Sequence, residues 1–166
     1  MRQSLWHSLC VLSLLAVCVG LGGCVAADEP TRPKLKPPAD LRPDLMMIAV
    51  YPLLDDDNNG YPDTIPMVVY LWDERYPLPL WADGSIHFTL TDESKQVIAE
   101  WEVPADVVAA SRRRDQVGAA HHMTLDIRDA TSDVRPLTNV LLSGTFLGTD
   151  GTQASTKRQL GIQIGS

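Results

Sequence analysis

The chain has 166 residues, and its 14 Lys and Arg against 21 Asp and Glu give a formal net charge of −7. This acidic balance disfavours nucleic acid and the anionic face of a membrane as partners, and it favours cations. Residues 44–166 suffice for one domain with a single core and are too few for two.

The amino terminus has the pattern of a secretory signal. Arg2 precedes an apolar run from Leu9 to Val19, which is short for a membrane span. The run leads to "LGGC", residues 21–24, in which a branched apolar residue and two small residues precede a cysteine. This stretch resembles the lipobox of bacterial lipoproteins. The resemblance implies that residues 1–23 are removed and that Cys24 carries a lipid at the mature N-terminus.

The lipobox resemblance predicts a lipid-anchored protein of the bacterial cell envelope. Val25 stands where an aspartate would favour inner-membrane retention in some bacteria, so the outer membrane is favoured, on its periplasmic or surface face. Cys10 and Cys18 leave with the signal and Cys24 is lipidated, so the mature domain has no disulfide. Its stability must then come from core burial or from a metal. The alternative is that Cys24 is an ordinary residue near a signal-peptidase site.

Residues 24–43 form a predicted lipid-anchored, Pro-rich linker. This stretch has five prolines and little apolar content, which favours an extended tether over a packed element. The linker would hold the domain away from the membrane. A tail of no selected length is the alternative.

Seven segments after residue 43 have the patterning of β-strands, either as apolar runs or as alternation of apolar and polar residues. A tight turn is expected at Asp150-Gly151. The pattern predicts an all-β domain over residues 44–166, an antiparallel immunoglobulin-like β-sandwich of about seven strands without the cysteine and tryptophan signature of immunoglobulins. The segments are residues 45–54, 64–73, 84–92, 96–103, 121–129, 139–148 and 157–165.

One short helix is predicted in "PADVVAASRRRD", residues 104–115. Pro104 suits the first turn of a helix, and Arg112, Arg113 and Arg114 would stand near its C-terminal end, where cations are favourable. The three arginines are also candidates for an anion site. A solvated helix end is the favoured interpretation.

Four carboxylates fall within nine positions between the first two predicted strands, in "LLDDDNNGYPDTIP", residues 53–66. The spacing D-x-D-x-N-G-x-x-D resembles the first nine positions of the EF-hand loop and the calcium loops of dockerins and thrombospondin type 3 repeats. The resemblance implies a structural Ca²⁺ ion, around which the chain supplies oxygens at alternate positions. The predicted ligands are Asp55, Asp57, Asn59, the backbone carbonyl of Tyr61, and Asp63, the last directly or through water.

The loop also departs from the EF-hand pattern. Position twelve, usually a bidentate glutamate, is Pro66, and no flanking helices are predicted, so a helix-loop-helix sensor is not expected. Turns at the same end of the domain would offer further ligands, either Asp92 and Glu93 or Asp129 and Asp133. The alternative is a solvated turn that needs no ion, because Asp, Asn, Gly and Pro all favour turns. Hard oxygen ligands disfavour zinc and copper.

Other candidate sites are weaker. His121 and His122 are adjacent on a predicted strand, so they point to opposite faces and cannot chelate one metal together. No G-x-S-x-G or H-E-x-x-H motif and no mature cysteine is present, so the protein is not expected to be an enzyme, and an enzyme accessory subunit is equally disfavoured. Trp81 and Trp101 are candidates for a glycan-stacking platform, with Trp81 expected to be the more exposed.

Taken together, these features predict a calcium-stabilised structural or protein-interaction module of the cell envelope. The partner would be another envelope protein. A surface glycan-binding module is the alternative.

Overall fold

Nine β-strands and one short helix make up the part of the chain that the computed structural model describes, residues 38–166. The predicted signal peptide (1–23), Cys24 and the linker up to residue 37 lie outside the described residues. Helix α1 (Ala105–Ala110) separates β4 from β5, and a 3₁₀ turn (Ile127–Asp129) follows β6. The strands are β1 (Leu45–Val50), β2 (Thr64–Trp72), β3 (Gly84–Asp92), β4 (Val97–Val103), β5 (Arg112–Arg114), β6 (Ala119–Asp126), β7 (Thr138–Gly148), β8 (Gln153–Thr156) and β9 (Leu160–Ile164).

The strands form one hydrogen-bonded sheet in the order β4-β3-β7-β8-β1-β2-β6-β5, and β9 pairs with β7. Helix α1 connects β4 to β5, the two strands at opposite ends of this order. The indole N–H of Trp101 on β4 also donates to the backbone oxygen of Asp126 on β6, at 2.8 Å. The two ends of the sheet therefore lie together, and the sheet folds over on itself as a β-sandwich does.

The core lies between the two halves of this folded sheet, where strand alternation places apolar side chains inward. Burying each large aliphatic or aromatic side chain contributes roughly 1.5 to 3 kcal/mol before the entropy of ordering is subtracted. In β3 the buried residues alternate with half-buried Ser85, His87 and Thr89. The fully buried core residues include Ile65, Met67, Val69 and Leu71 on β2, Ile86, Phe88 and Leu90 on β3, and Val140, Leu142 and Phe146 on β7.

The predicted all-β domain with one short helix is confirmed, but several details are wrong. Strands β5 and β8 were not predicted, because three and four residues are too few to show an alternating pattern. The Asp150-Gly151 turn is present, with Gly151 at φ +83°, and it leads into β8. The sheet is also not wholly antiparallel, since β1 and β8 pair in parallel at Leu45 and Met46.

The helix ends sooner than predicted. Helix α1 stops at Ala110, and the three arginines form strand β5, in which Arg112, Arg113 and Arg114 pair antiparallel with residues of β6. Strand β5 is the last strand of the sheet order, and charged side chains on such an edge discourage pairing with another chain. Backbone pairing with β6 therefore outweighs the helical preference of this segment.

The end of the predicted linker is bonded to the domain. The backbone N–H of Arg42 donates to Asp73 Oδ2 at 3.1 Å, and Asp40 Oδ2 lies 3.1 Å from Arg75 Nη1. Hydrogen bonds from the Arg75 side chain are the main reason that the pKa of Asp73 lies well below its usual range. Contacts with the domain thus extend back to Asp40, inside the predicted linker.

Replacing Gly84 with alanine should destabilise the fold. A Cβ at Gly84 would overlap the carbonyl oxygen of Leu147 and lie 2.6 Å from Phe146 Cζ, so two paired strands would have to separate. We expect Gly84→Ala to lower the free energy of unfolding by about 1 to 3 kcal/mol. Gly161→Ala is the control, because its Cβ would meet nothing within 4 Å, and its effect should stay within about 0.5 kcal/mol. Urea denaturation measures both, and equal stability of the two variants would contradict the packing described for β3.

Candidate metal centre

The acidic loop connects β1 to β2 and is closed at its base by backbone hydrogen bonds. The Leu54 oxygen accepts from the N–H groups of Asp63 (2.9 Å) and Thr64 (3.1 Å). The oxygen of Asp63 in turn accepts from the N–H of Ile127 at 2.7 Å. The residues between Leu54 and Asp63 therefore project from a fixed base, which the 3₁₀ turn after β6 also supports.

Hydrogen bonds from side chains to the backbone fold the loop itself. The Asp55 carboxylate accepts from the N–H groups of Asn59 (3.1 Å) and Gly60 (2.8 Å), and Asp57 Oδ1 accepts from the same Asn59 N–H at 3.1 Å. Asn58 and Gly60 have φ values of +59° and +88°, a left-handed conformation that asparagine and glycine tolerate best. These bonds turn the chain back on itself, so the carboxylates of the loop approach one another.

Three of the predicted ligands converge. One carboxylate oxygen each from Asp55, Asp57 and Asp63 lie within 4.8 Å of one another. Calcium binds oxygens at about 2.3 to 2.6 Å, so two oxygens on one ion are separated by no more than about 5 Å. The spacing of the three carboxylates fits a single Ca²⁺ ion.

Asp63 is the buried member of this group, with none of its surface exposed. Its Oδ1 accepts from Thr64 Oγ1 (2.7 Å) and from the N–H of Asp56 (3.2 Å). Its Oδ2 accepts no hydrogen bond, although Arg128 Nη1 lies 3.0 Å away as an ion pair. The Thr64 hydroxyl is the main reason that the pKa of Asp63 is lowered; burial acts the other way, and the Arg128 charge assists. Hydrogen bonds and a neighbouring cation together keep this buried carboxylate ionised.

Arg128 provides a positive charge that the sequence did not predict at this site. Its Nη1 lies 3.1 Å from Asp57 Oδ2 and 3.0 Å from Asp63 Oδ2, and its Nη2 lies 2.6 Å from Asp126 Oδ2. Asp126 also begins the 3₁₀ turn, since its side chain accepts from the N–H of Arg128 at 2.8 Å. The pKa of Arg128 is raised, above all by its hydrogen bonds to Asp126. The turn therefore fixes both the arginine and its nearest carboxylate.

Asn59, a fourth predicted ligand, lies in the loop but turns its amide nitrogen rather than its oxygen toward the carboxylates. Asn59 Nδ2 donates to Asp57 Oδ2 (3.2 Å) and Asp133 Oδ2 (2.7 Å), while its Oδ1 accepts from the N–H of Tyr61 (2.8 Å). An oxygen role for Asn59 therefore requires its amide group to rotate by about half a turn, an orientation that only the hydrogen-bond network distinguishes. Asp133 is 7% exposed and adjoins the loop through Asn59.

Asp92 and Glu93 bond elsewhere. Asp92 Oδ1 accepts hydrogen bonds within its own turn, and Glu93 Oε1 accepts from Asn139 Nδ2 at 3.3 Å. Asp56, which is not among the predicted ligands, is exposed, and its Oδ2 lies 3.0 Å from Thr64 Oγ1. Of the two proposed sources of additional ligands, the structure brings Asp133 toward the loop.

In each pair of candidates, the two histidines and the two tryptophans, one residue is buried and the other is exposed. His121 is buried and His122 is exposed, so the two rings do face opposite sides of β6. Trp101 is only 8% exposed and belongs to the core, so its ring is not available to stack on a sugar. Trp81 is 39% exposed, and the Arg114 guanidinium lies over its ring, 5.4 Å from the centroid.

No family model matches this chain, and no curated protein matches it. Within residues 38–166, none of the helices has the length and apolar character needed to cross a membrane. The chemistry of the acidic loop is thus the main guide to function in the described part of the chain.

Acid should destabilise the domain through these carboxylates. The pKa values of Asp63 and Asp126 are lowered by folding, and such groups add stability that is present above the unfolded pKa, about 4, and is lost as pH falls through the folded pKa. In calcium-free buffer, the free energy of unfolding should therefore decline below about pH 4. Asp126→Asn should be less stable at pH 7, with a shallower decline below pH 4.

Denaturant titrations at a series of pH values measure this difference. Both proteins should share an earlier decline from about pH 6.5, because burial lowers the pKa of His121 and unfolding allows that ring to take up a proton. Equally steep declines below pH 4 would show that the Asp126 carboxylate does not contribute.

Proposed function

We propose that this protein is a lipid-anchored component of a bacterial cell envelope, whose β domain is stabilised by Ca²⁺ and serves as a structural or protein-interaction module. The convergence of Asp55, Asp57 and buried Asp63 is the observation that supports the calcium site. The "LGGC" sequence ending at Cys24 supports the lipid anchor.

The donor set suits calcium better than other metals. Carboxylate oxygens are hard ligands, which favour Ca²⁺ over zinc or copper. Three carboxylates are fewer than the six to eight oxygens that Ca²⁺ takes, and water and the Tyr61 carbonyl would supply further oxygens in this largely exposed loop. Sites in extracellular modules commonly bind with dissociation constants of about 0.1 to 1 mM, which is sufficient outside the cell.

The ion would act by joining the projecting part of the loop to its base. Asp55 and Asp57 lie in the projecting loop, whereas Asp63 is fixed at its base and bonded to the turn after β6. Neutralising their mutual repulsion would hold the loop against the domain. A rigid, exposed loop of this kind would provide one wall of an interaction surface.

Glycan binding is the second candidate and has weaker support. The burial of Trp101 leaves Trp81 as the ring proposed for stacking, and Arg114 already covers one face of that ring. We therefore rank a structural or protein-binding role first.

Calcium should raise the melting temperature of residues 25–166, the mature chain without its lipidated Cys24. A ligand that binds only the folded state at about 100 times its dissociation constant adds roughly 2.7 kcal/mol, which corresponds to several degrees. The rise between EDTA and millimolar calcium should disappear in Asp57→Ala. It should persist in Asp106→Ala, which removes an exposed carboxylate from helix α1. If calcium does not raise the melting temperature of the unmodified chain, the loop is a polar turn that Arg128 stabilises without an ion.

The lipid anchor can be tested separately in a bacterial host. The unmodified precursor should incorporate labelled palmitate and sediment with membranes, and Cys24→Ala should abolish the labelling. Cys18→Ala is the control, because this residue belongs to the predicted signal and would be removed on maturation. Palmitate labelling that survives in Cys24→Ala would contradict the anchor.

A further inference from the structure

We propose that Arg128 is a built-in competitor of the metal ion, which binds the Asp57 and Asp63 oxygens when calcium is scarce and withdraws to Asp126 when calcium binds. The inference rests on the proposed calcium site and adds to it a residue that sets the calcium affinity. It predicts that the same arginine stabilises the domain without calcium and weakens calcium binding.

Arg128 and the ion need the same oxygens. The Oδ1 atoms of Asp57 and Asp63 already accept hydrogen bonds from the backbone or from Thr64, and Arg128 contacts the Oδ2 atoms. Asp63 Oδ2 is buried and accepts no hydrogen bond, so it is the oxygen with most to gain from a cation. A calcium ion at about 2.4 Å from these oxygens would lie within about 6 Å of the guanidinium, where two positive charges repel strongly.

Arg128 also has a second carboxylate to bind, that of Asp126. Its Nε donates to Asp126 Oδ1 at 3.0 Å and its Nη2 to Asp126 Oδ2 at 2.6 Å, a two-pronged contact that does not involve the loop. Paired N–H donors on one carboxylate form one of the stronger ion pairs in proteins. Arg128 can therefore release Nη1 from the loop and still keep a partner. Its side chain is 37% exposed, so solvent is available for that movement.

Removing Arg128 should change the calcium-free stability and the calcium affinity in opposite directions. Removing Arg128 leaves Asp63 buried beside two other carboxylates without a compensating charge, which destabilises the calcium-free domain. The same removal also takes away the positive charge that competes for these carboxylates. Calcium binding is therefore strengthened. A residue with a purely structural role would lower stability without tightening the binding of calcium.

The test compares the mature chain with Arg128→Gln and with a control, Arg113→Gln. Arg113 is exposed on β5 and its side chain donates to the backbone oxygens of Ala110 and Arg112, so the control makes the same change in net charge away from the loop's carboxylates. Calorimetric titration with CaCl₂ gives the dissociation constant, and thermal unfolding in EDTA gives the calcium-free stability. Arg128→Gln should melt at a lower temperature in EDTA and bind calcium roughly five- to tenfold more tightly. Arg113→Gln should match the unmodified chain in both.

The possible failures are distinguishable. If the unmodified chain binds calcium and Arg128→Gln binds with equal or weaker affinity, competition is refuted and the calcium site stands. If neither protein binds calcium, the site is refuted and the competition with it. Should Arg128→Gln fail to fold in EDTA, Asp126→Asn serves for the same titration. Without the Asp126 carboxylate, Arg128 loses its alternative partner and stays with the loop, so calcium affinity should fall, and an equal or higher affinity would refute competition.

Discussion

Asp63 carries a negative charge into the interior of the domain, and much of the surrounding architecture serves to keep it there. Its backbone oxygen bonds to Ile127, its Oδ1 to Thr64 and Asp56, and its Oδ2 faces Arg128. The first strand pair, the acidic loop and the turn after β6 therefore meet at one carboxylate. Such a position is costly without nearby positive charge, and Arg128 supplies that charge in the structure.

The acidic loop differs from calcium loops in domains that fold only when their ion is bound. In structural metal sites the binding free energy can supply most of the folding free energy, and the protein without metal is then unfolded. Here the core of the β-sandwich is extensive, with fully buried residues on β2, β3 and β7, and Arg128 offsets part of the negative charge. The proposed ion would thus adjust the rigidity and position of one loop on a domain that is already folded.

The sequence predicted those features that depend on local pattern. The alternation of Ile86, Phe88 and Leu90 determines which face of β3 is buried, and the spacing from Asp55 to Asp63 brings three carboxylates together. Features that depend on pairing between distant segments were missed. Strand β5 is a run of arginines that becomes a strand only because β6 supplies its hydrogen bonds, and Arg128 reaches Asp57 across 71 positions of chain. Trp101 was misjudged for the same reason, since its indole is covered by β6 from the opposite end of the sheet order.

The bonds between the end of the linker and the domain have a mechanical consequence. Tension applied to the chain from its N-terminal side enters the domain at Asp40 and Arg42, where ionic and hydrogen-bonded contacts with Arg75 and Asp73 must break before force reaches β1. Strand β1 then transmits the force to β2 through six paired residues, with the acidic loop at the far end of that pair. A pull transmitted through the predicted linker would therefore load these contacts and β1 before it reached the acidic loop.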